Sequence, residues 1–285
     1  MGKTAIIADT LACLPGEMVE QYGIEVIAPN IYFDGRVYRD GLDISPSEAY
    51  QMLEKAPQLF STSSPPPTEY IELFHKISSR AENILCITIS SKLSTFYNVA
   101  LLAKEQARAE LPHTNIEVMD SETVTGAEGF VVLAAARAAA EGKGLTETIE
   151  AAQRIKEKVS LIFVLETIRH AYRTGRIPKV ASQLGSLLSV KPVLTVRDGK
   201  VRFKGMTRSK TKGVNNLLEA MHKKAGEKPV HAVVHHTDVP EEAERLRQRV
   251  IDEFNCAELW LAEFSPLMSY ATGRGVLGLA FYAED

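Results

Sequence analysis

The sequence predicts an α/β protein of two domains, the first built on a mostly parallel sheet with flanking helices and the second on a mixed sheet. Three observations predict it. Short β-branched or apolar runs alternate with helix-spaced stretches along the chain, and strands separated by helices favour parallel layers. In the second half, Asp198-Gly199 between two alternating runs marks a tight hairpin, which makes that sheet mixed. The length, 285 residues, exceeds one typical core.

TAIIA (4–8) and IEVIAPNIYF (24–33) are rich in β-branched and apolar residues and read as strands. SPSEAYQMLEKA (45–56) and TEYIELFHKISSRA (68–81) carry apolar residues at helical spacing. NILCITI (83–89) is a strand of the buried kind, followed by the helix STFYNVALLAKEQARAEL (94–111), the strand IEVM (116–119) and the helix GFVVLAAARAAAEG (129–142). A boundary is placed after the helix GLTETIEAAQRIKEKV (144–159), giving domains of residues 1–159 and 160–285. Beyond it, SLIFVL (160–165), VKPVLTV (190–196), HAVVHH (231–236) and ELWLAEF (258–264) are strands. ETIRHAYR (166–173) and EEAERLRQRVIDEF (241–254) are helical, and Gly175 shortly after the first reads as its C-terminal cap.

Composition excludes several partners. With 33 basic against 36 acidic residues, a net charge of −3 and no long run of either sign, neither nucleic acid nor an anionic membrane is expected. Cys13, Cys86 and Cys256 are far apart and form no CxxC pair, so neither a disulfide framework nor a thiolate metal site is expected. The opening MGKTAIIADT runs into a strand without a signal-peptide core, and no apolar run reaches the eighteen or so residues of a membrane span. A cytoplasmic protein with no stable membrane insertion is expected.

Two stretches concentrate hydroxyls. FSTSSPPPTEY (60–70) sets Ser61, Thr62, Ser63 and Ser64 ahead of Pro65, Pro66 and Pro67. Ser64 is expected to cap a helix opening in the prolines. Thr62 and Ser63 then remain in the loop before a helix amino terminus, where N–H groups and the dipole attract an anion. ITISSKLSTF (87–96) repeats the arrangement with Ser90, Ser91 and Ser94, the last reading as a second cap. Open α/β sheets bind ligands beyond the carboxyl ends of their strands, so two such clusters point to a small anion, the alternative being plain caps.

The chain resembles the DegV family, bacterial fatty-acid-binding proteins that include the acyl-carrying subunit of fatty acid kinase. The matching pieces are IIADTLACLP, the TS-x-P stretch at Thr62 and Ser63, ISSKLST with Ser91 and Ser94, VMDSETVTGAEGF with Gly126, TGRIPK with Arg176, SLLSVKPVLTVRDGKV, and TGRGVLGLAF with Thr272. They occur in order over nearly the whole length. The resemblance implies two α/β domains with a long-chain fatty acid, such as palmitate, buried between them as ligand, and no cofactor. It implies that the carboxylate is held by the hydroxyls of Thr62 and Ser94 with Ser63 beside them, and that Ser91, Gly126 and Thr272 belong to the pocket. It also implies that Arg176 lies near the pocket mouth and helps present the acid to a separate ATP-dependent fatty acid kinase subunit.

This sequence departs from the family at one place. In the closing motif a His precedes the Thr-Gly and donates to the carboxylate, whereas here that position is Ala271. Tyr270 stands just before it, and Arg274 replaces the family's Pro. Either is expected to supply the lost donor, an inward arginine more strongly than an imidazole; the alternative is that Arg274 is an exposed loop residue.

Other patterns are decoys. GRGVLG (273–278) spells GxGxxG with no room for a βαβ unit after it. His231, His235 and His236 near Asp238 alternate as a strand would, and HExxH is absent, so no metal is expected. The rival class is a lipid-acting serine hydrolase, but no GxSxG elbow occurs. There is no GxxxxGK[ST] phosphate loop either, so the expected role is binding without catalysis, any phosphoryl transfer residing in a partner.

Overall fold

A computed structural model of the chain describes residues 2–176 and 190–285, and elements are counted among those described residues. Residues 177–179 of TGRIPK and 186–189 of SLLSV, which carry part of the family resemblance, lie outside them. The chain divides into two compact units, Met1–Asp43 with Leu59–Glu157, and Ile44–Gln58 with Lys158–Asp285.

The first unit holds β1 (Thr4–Asp9), α1 (Gly16–Tyr22), β2 (Glu25–Ile27), β3 (Asn30–Phe33), β4 (Arg36–Arg39), β5 (Ser61–Ser63), α3 (Pro67–Ser78), β6 (Asn83–Thr88), α4 (Phe96–Ala107), β7 (Asn115–Asp120), α5 (Gly126–Ala140) and most of α6 (Leu145–Lys158). Strands β2-β1-β6-β7 form a parallel sheet, with Ala8 opposite Ile87 and Thr88 opposite Asp120. Residues of β1 and β6 are buried throughout, as a parallel sheet covered on both faces requires. α3 and α4 pack on each other and on β6, while α5 packs on β1. α5 is apolar around nearly its whole circumference and almost wholly buried.

The stretch 24–33, expected as one strand, is two. Pro29 has no N–H for a ladder, and the chain leaves the parallel sheet there to form a small antiparallel sheet, β4-β3-β5. Asp34 and Gly35, both at positive φ, make the tight β3–β4 turn. Thr62 and Ser63, expected in a loop, lie in β5, where Thr62 pairs with Ile31.

The second unit holds α2 (Pro46–Lys55), β8 (Ser160–Val164), α7 (Arg169–Arg173), β9 (Lys191–Arg197), β10 (Lys200–Thr207), α8 (Lys210–Ala225), β11 (Val230–His236), α9 (Pro240–Glu253), β12 (Cys256–Glu263), α10 (Pro266–Thr272) and β13 (Leu277–Ala283). The strand order is β10-β9-β8-β13-β11-β12; only β11 and β12 are parallel. Asp198 and Gly199, both at positive φ, turn β9 into β10 as the sequence predicts. Ile162, Val164, Leu217, Met221, Val234 and Leu279 lie in the core beneath α8 and α9. The segment 44–58, which the sequence reading leaves in residues 1–159, belongs here because α2 packs on α10 and the Tyr50 hydroxyl accepts from Ser269 Oγ at 3.0 Å.

Two predictions follow from this packing. A Cβ on Gly129 of α5 would lie 2.8 Å from the Ala12 carbonyl oxygen and 3.0 Å from Leu14, so Gly129→Ala should lower stability by about 1–3 kcal/mol in denaturant unfolding. His235 of β11 is fully buried with Nδ1 3.2 Å from the Ala262 carbonyl, and burial pushes its pKa down to about 3. The unfolded chain takes up that proton near pH 6.5 and the folded unit does not, so stability falls as pH drops from about 6.5 towards 3. In His235→Asn that acid limb should flatten by up to about 1.4 kcal/mol per pH unit, measured as unfolding free energy against pH.

Candidate functional site

Because β1, β6 and β7 are parallel, their carboxyl ends share one edge of the sheet, the edge where open α/β sheets bind ligands. Asp9 ends β1 there. Its Oδ1 accepts from Leu11 N at 3.0 Å and its Oδ2 from Ile89 N at 2.8 Å. Ile89 opens the loop that carries Ser90, Ser91 and Ser94 into α4. That loop is fastened along its backbone: Ser90 N donates to Thr123 O at 2.9 Å, Ser91 N to the Asp120 carboxylate at 3.2 Å, and Ser94 N to Ser90 O at 3.1 Å.

The two expected caps are not caps. α3 begins after Pro66 and α4 after Thr95, neither with a side-chain cap; at α3 the consecutive prolines remove N–H groups that Ser64 would have received. Ser64 Oγ and Thr95 Oγ1 instead lie 2.7 Å apart, a hydrogen bond that ties the first hydroxyl stretch to the second. Ser63 Oγ pairs with the Tyr32 hydroxyl at 3.2 Å, and Ser90 Oγ accepts from Lys92 N at 3.2 Å. Among the described residues the hydroxyls of Thr62, Ser91 and Ser94 have no hydrogen-bond partner, and all three are half-buried. Such hydroxyls can donate to an anion without bringing a desolvated charge of their own.

Gly126 is the first residue of α5. Thr125 before it has φ +59°, a strained conformation for a β-branched residue, and its buried hydroxyl is unpartnered. Glu128, three residues in, is fully buried; neither of its oxygens has a donor, and the group it meets is the Asp9 carboxyl. Burial pushes Asp9 up to about 7, against the pull of the Ile89 N–H, and drives Glu128 well above the ordinary carboxylate range, with the Asp9 charge adding to it. A helix amino terminus favours an anion by typically 0.3–1 kcal/mol, whereas burying an unpaired charge costs several, so the neutral acid wins at Glu128. Neither acid stands out in the sequence patterns that mark the hydroxyl stretches. The signal for Glu128 was a single acid inside the otherwise apolar run GAEGFVV, three residues into a helix.

The remaining candidates lie in the second unit. Arg176 Nη1 donates to Thr174 O at 2.6 Å on the exposed turn after α7, where Gly175 at φ +72° ends the helix as expected. Thr272 Oγ1 donates to Met268 O at 2.7 Å within α10 and is buried. The Arg173 guanidinium lies 4.8 Å from the Tyr270 ring centroid. Arg274 forms ion pairs with Glu54 and Asp238 and lies 5.5 Å from the Tyr50 ring centroid, so two carboxylates already occupy its guanidinium. Of the decoy histidines, His231 is held between Glu258 at 2.9 Å and Glu284 at 3.0 Å, while His235 faces β12.

Comparisons agree with this architecture. The family model for DegV, a family of uncharacterised proteins, matches residues 3–284. A DegV domain-containing protein of Clostridium perfringens is 30% identical over 98% of this chain and 99% of its own length. A DegV family protein from Thermus thermophilus, described for its fatty acid binding, superposes with a TM-score of 0.90 at 26% identity, covering 99% of this chain and 100% of that one. DegV of Bacillus subtilis, a fatty acid binding protein, matches with TM-score 0.90 at 25% identity over 100% of both chains.

The tie between the hydroxyl stretches is open to measurement. In a double-mutant cycle of Ser64→Ala and Thr95→Ala, denaturant unfolding should give a coupling energy of about 0.5–1.5 kcal/mol. A value near zero would show the two stretches to be independent.

Proposed function

The chain belongs to the DegV family, and on that premise we propose that it binds a long-chain fatty acid without transforming it, the carboxylate received by Thr62 and Ser94. The observation that carries this reading is the set of half-buried hydroxyls left unengaged among the described residues, Thr62 in β5 and Ser91 and Ser94 beyond the carboxyl end of β6, on two stretches joined through Ser64 and Thr95. The fatty acid binding of two whole-length relatives supports the ligand class.

The energetics suit such a ligand. Each methylene taken from water contributes about 0.8 kcal/mol, so a long tail supplies roughly 10 kcal/mol before the costs of association. The tail alone carries no orientation. Hydrogen bonds to the carboxylate contribute about 1.5–3 kcal/mol each and prevent the head from being buried unpaired. Ser63 adjoins Thr62 and Ser91 lies three residues before Ser94, while Gly126 opens α5 beyond the carboxyl end of β7; the three complete the proposed head-group site. An acid reaching Arg274 would have to displace Glu54 or Asp238, so that arginine is assigned to its ion pairs, and Tyr270 and Arg176 are given no hydrogen bond to the carboxylate. With no phosphate loop in the sequence, phosphorylation of the bound acid is assigned to a separate kinase subunit.

Mass spectrometry of lipid extracted from purified protein should find about one long-chain acid per chain. Thr62→Val and Ser94→Ala should each weaken hexadecanoate binding roughly 10- to 100-fold by calorimetric titration, the value of one charge-assisted hydrogen bond. Arg274→Ala should stay within about threefold of the parent. If both hydroxyl variants bind as the parent does, the carboxylate is held elsewhere. An ester offered to the protein should be retained, and steady turnover would favour the hydrolase instead.

A further inference from the structure

At the centre of the first unit lie two acids with no base. Asp9 ends β1, and its two carboxylate oxygens each accept a backbone N–H, from Leu11 and Ile89. Both oxygens act as acceptors. Glu128 reaches it from the first turn of α5, and its own oxygens find no donor among the described residues. Two carboxyls that face each other as acceptors repel unless one of them carries a proton. The groups acting on the pair from the surrounding elements are Asp40 after β4, Asp120 of β7, Tyr70 of α3 and Cys86 of β6, and none is a cation. The Tyr70 hydroxyl is itself buried without a partner.

We infer that Asp9 and Glu128 share a proton, Glu128 being the neutral donor and Asp9 the acceptor, and that this buried pair positions the Ser90–Ser94 loop through the Ile89 amide. Glu128–OH donates to Asp9, and Asp9 in turn holds the turn after β1 and the start of the serine loop. Both act as positioning residues, since neither is assigned a contact with the ligand. The burial that raises both acids makes the arrangement sensitive to pH. In the unfolded chain the two carboxyls ionise near pH 4, whereas in the folded unit Asp9 keeps its proton to about pH 7 and Glu128 is held well above the ordinary carboxylate range. The folded state therefore binds more protons from about pH 4 upward, and stability declines as pH rises until Asp9 and then Glu128 have ionised. Once both are charged, their repulsion drives the pair apart and pulls Asp9 away from the position in which it holds the Ile89 amide.

The consequence for the ligand rests on the fatty-acid reading; the shared proton does not. Glu128→Gln replaces the acid O–H by an amide N–H that cannot ionise. Thermal unfolding of the full chain between pH 6 and 9.5 should show the parent losing stability relative to Glu128→Gln. The loss should approach tenfold in the folded-to-unfolded ratio for each pH unit over which Glu128 keeps its proton. Hexadecanoate affinity of the parent should fall as pH rises past neutrality while that of Glu128→Gln stays level. Asp9→Asn, which offers only one acceptor to two N–H groups, should bind hexadecanoate at least tenfold more weakly with unchanged circular dichroism. Carbon-13 NMR of the carboxyls supplies a readout that needs no variant, and the two signals should titrate as a coupled pair at or above neutrality. Parallel stability profiles, or two carboxyl signals titrating independently near pH 4, would overturn the inference. If the parent binds no hexadecanoate at any pH, the functional reading falls while the stability profiles and the NMR titration still decide the pair.

Discussion

The parallel register of β1 against β6 is the constraint on which the rest of the first unit depends. With Ala8 opposite Ile87, the last residue of β1 lies one step from the loop that leaves β6, and the Asp9 carboxylate spans that step to the Ile89 amide. Two strand ends are thereby closed by one side chain. α5 adds the third side: Gly129 lets it approach the Ala12 carbonyl, and that approach brings Glu128 onto Asp9. Polar atoms thus enter a covered sheet where the ladder itself has run out of partners.

Much of this was legible beforehand. Alternation of apolar runs and helical spacing gave β1, β6, β7 and the helices between them, because a strand covered on both faces must be apolar along its length. Asp198-Gly199 gave the β9–β10 hairpin, since positive φ at both central residues narrows the choice of residues. Short elements were less readable. β5 is three residues, Ser61–Ser63, and is a strand only because β3 offers it a partner. Pro29 was visible, yet its effect, sending β2 and β3 to different sheets, depends on where the partner strands lie.

The hydroxyl clusters show the same division between local and tertiary information. Counting hydroxyls picks out two stretches that the fold ties together by one hydrogen bond, while assigning each to a cap assumed that a hydroxyl near a helix start serves that helix. Three prolines in succession leave few N–H groups to receive, so Ser64 turns to Thr95, thirty-one residues away. Arg274 was likewise visible as a departure, but its partners are distant in sequence: the packing of α2 brings Glu54 to it, and the pairing of β11 with β13 brings Asp238.

That packing separates in time what it joins in space. α2 ends at Lys55 and its partner α10 begins at Pro266, about 210 residues later. A ribosome adding about 5–20 residues per second delivers α10 roughly 10–40 s after α2 has been made. For that interval the nascent segment 44–58 has no surface to cover its apolar face, although residues on either side of it already belong to a unit that can close. The second unit is therefore the last to be completed, and a chain released early leaves α2 as an unfilled half of an interface for chaperones to mask.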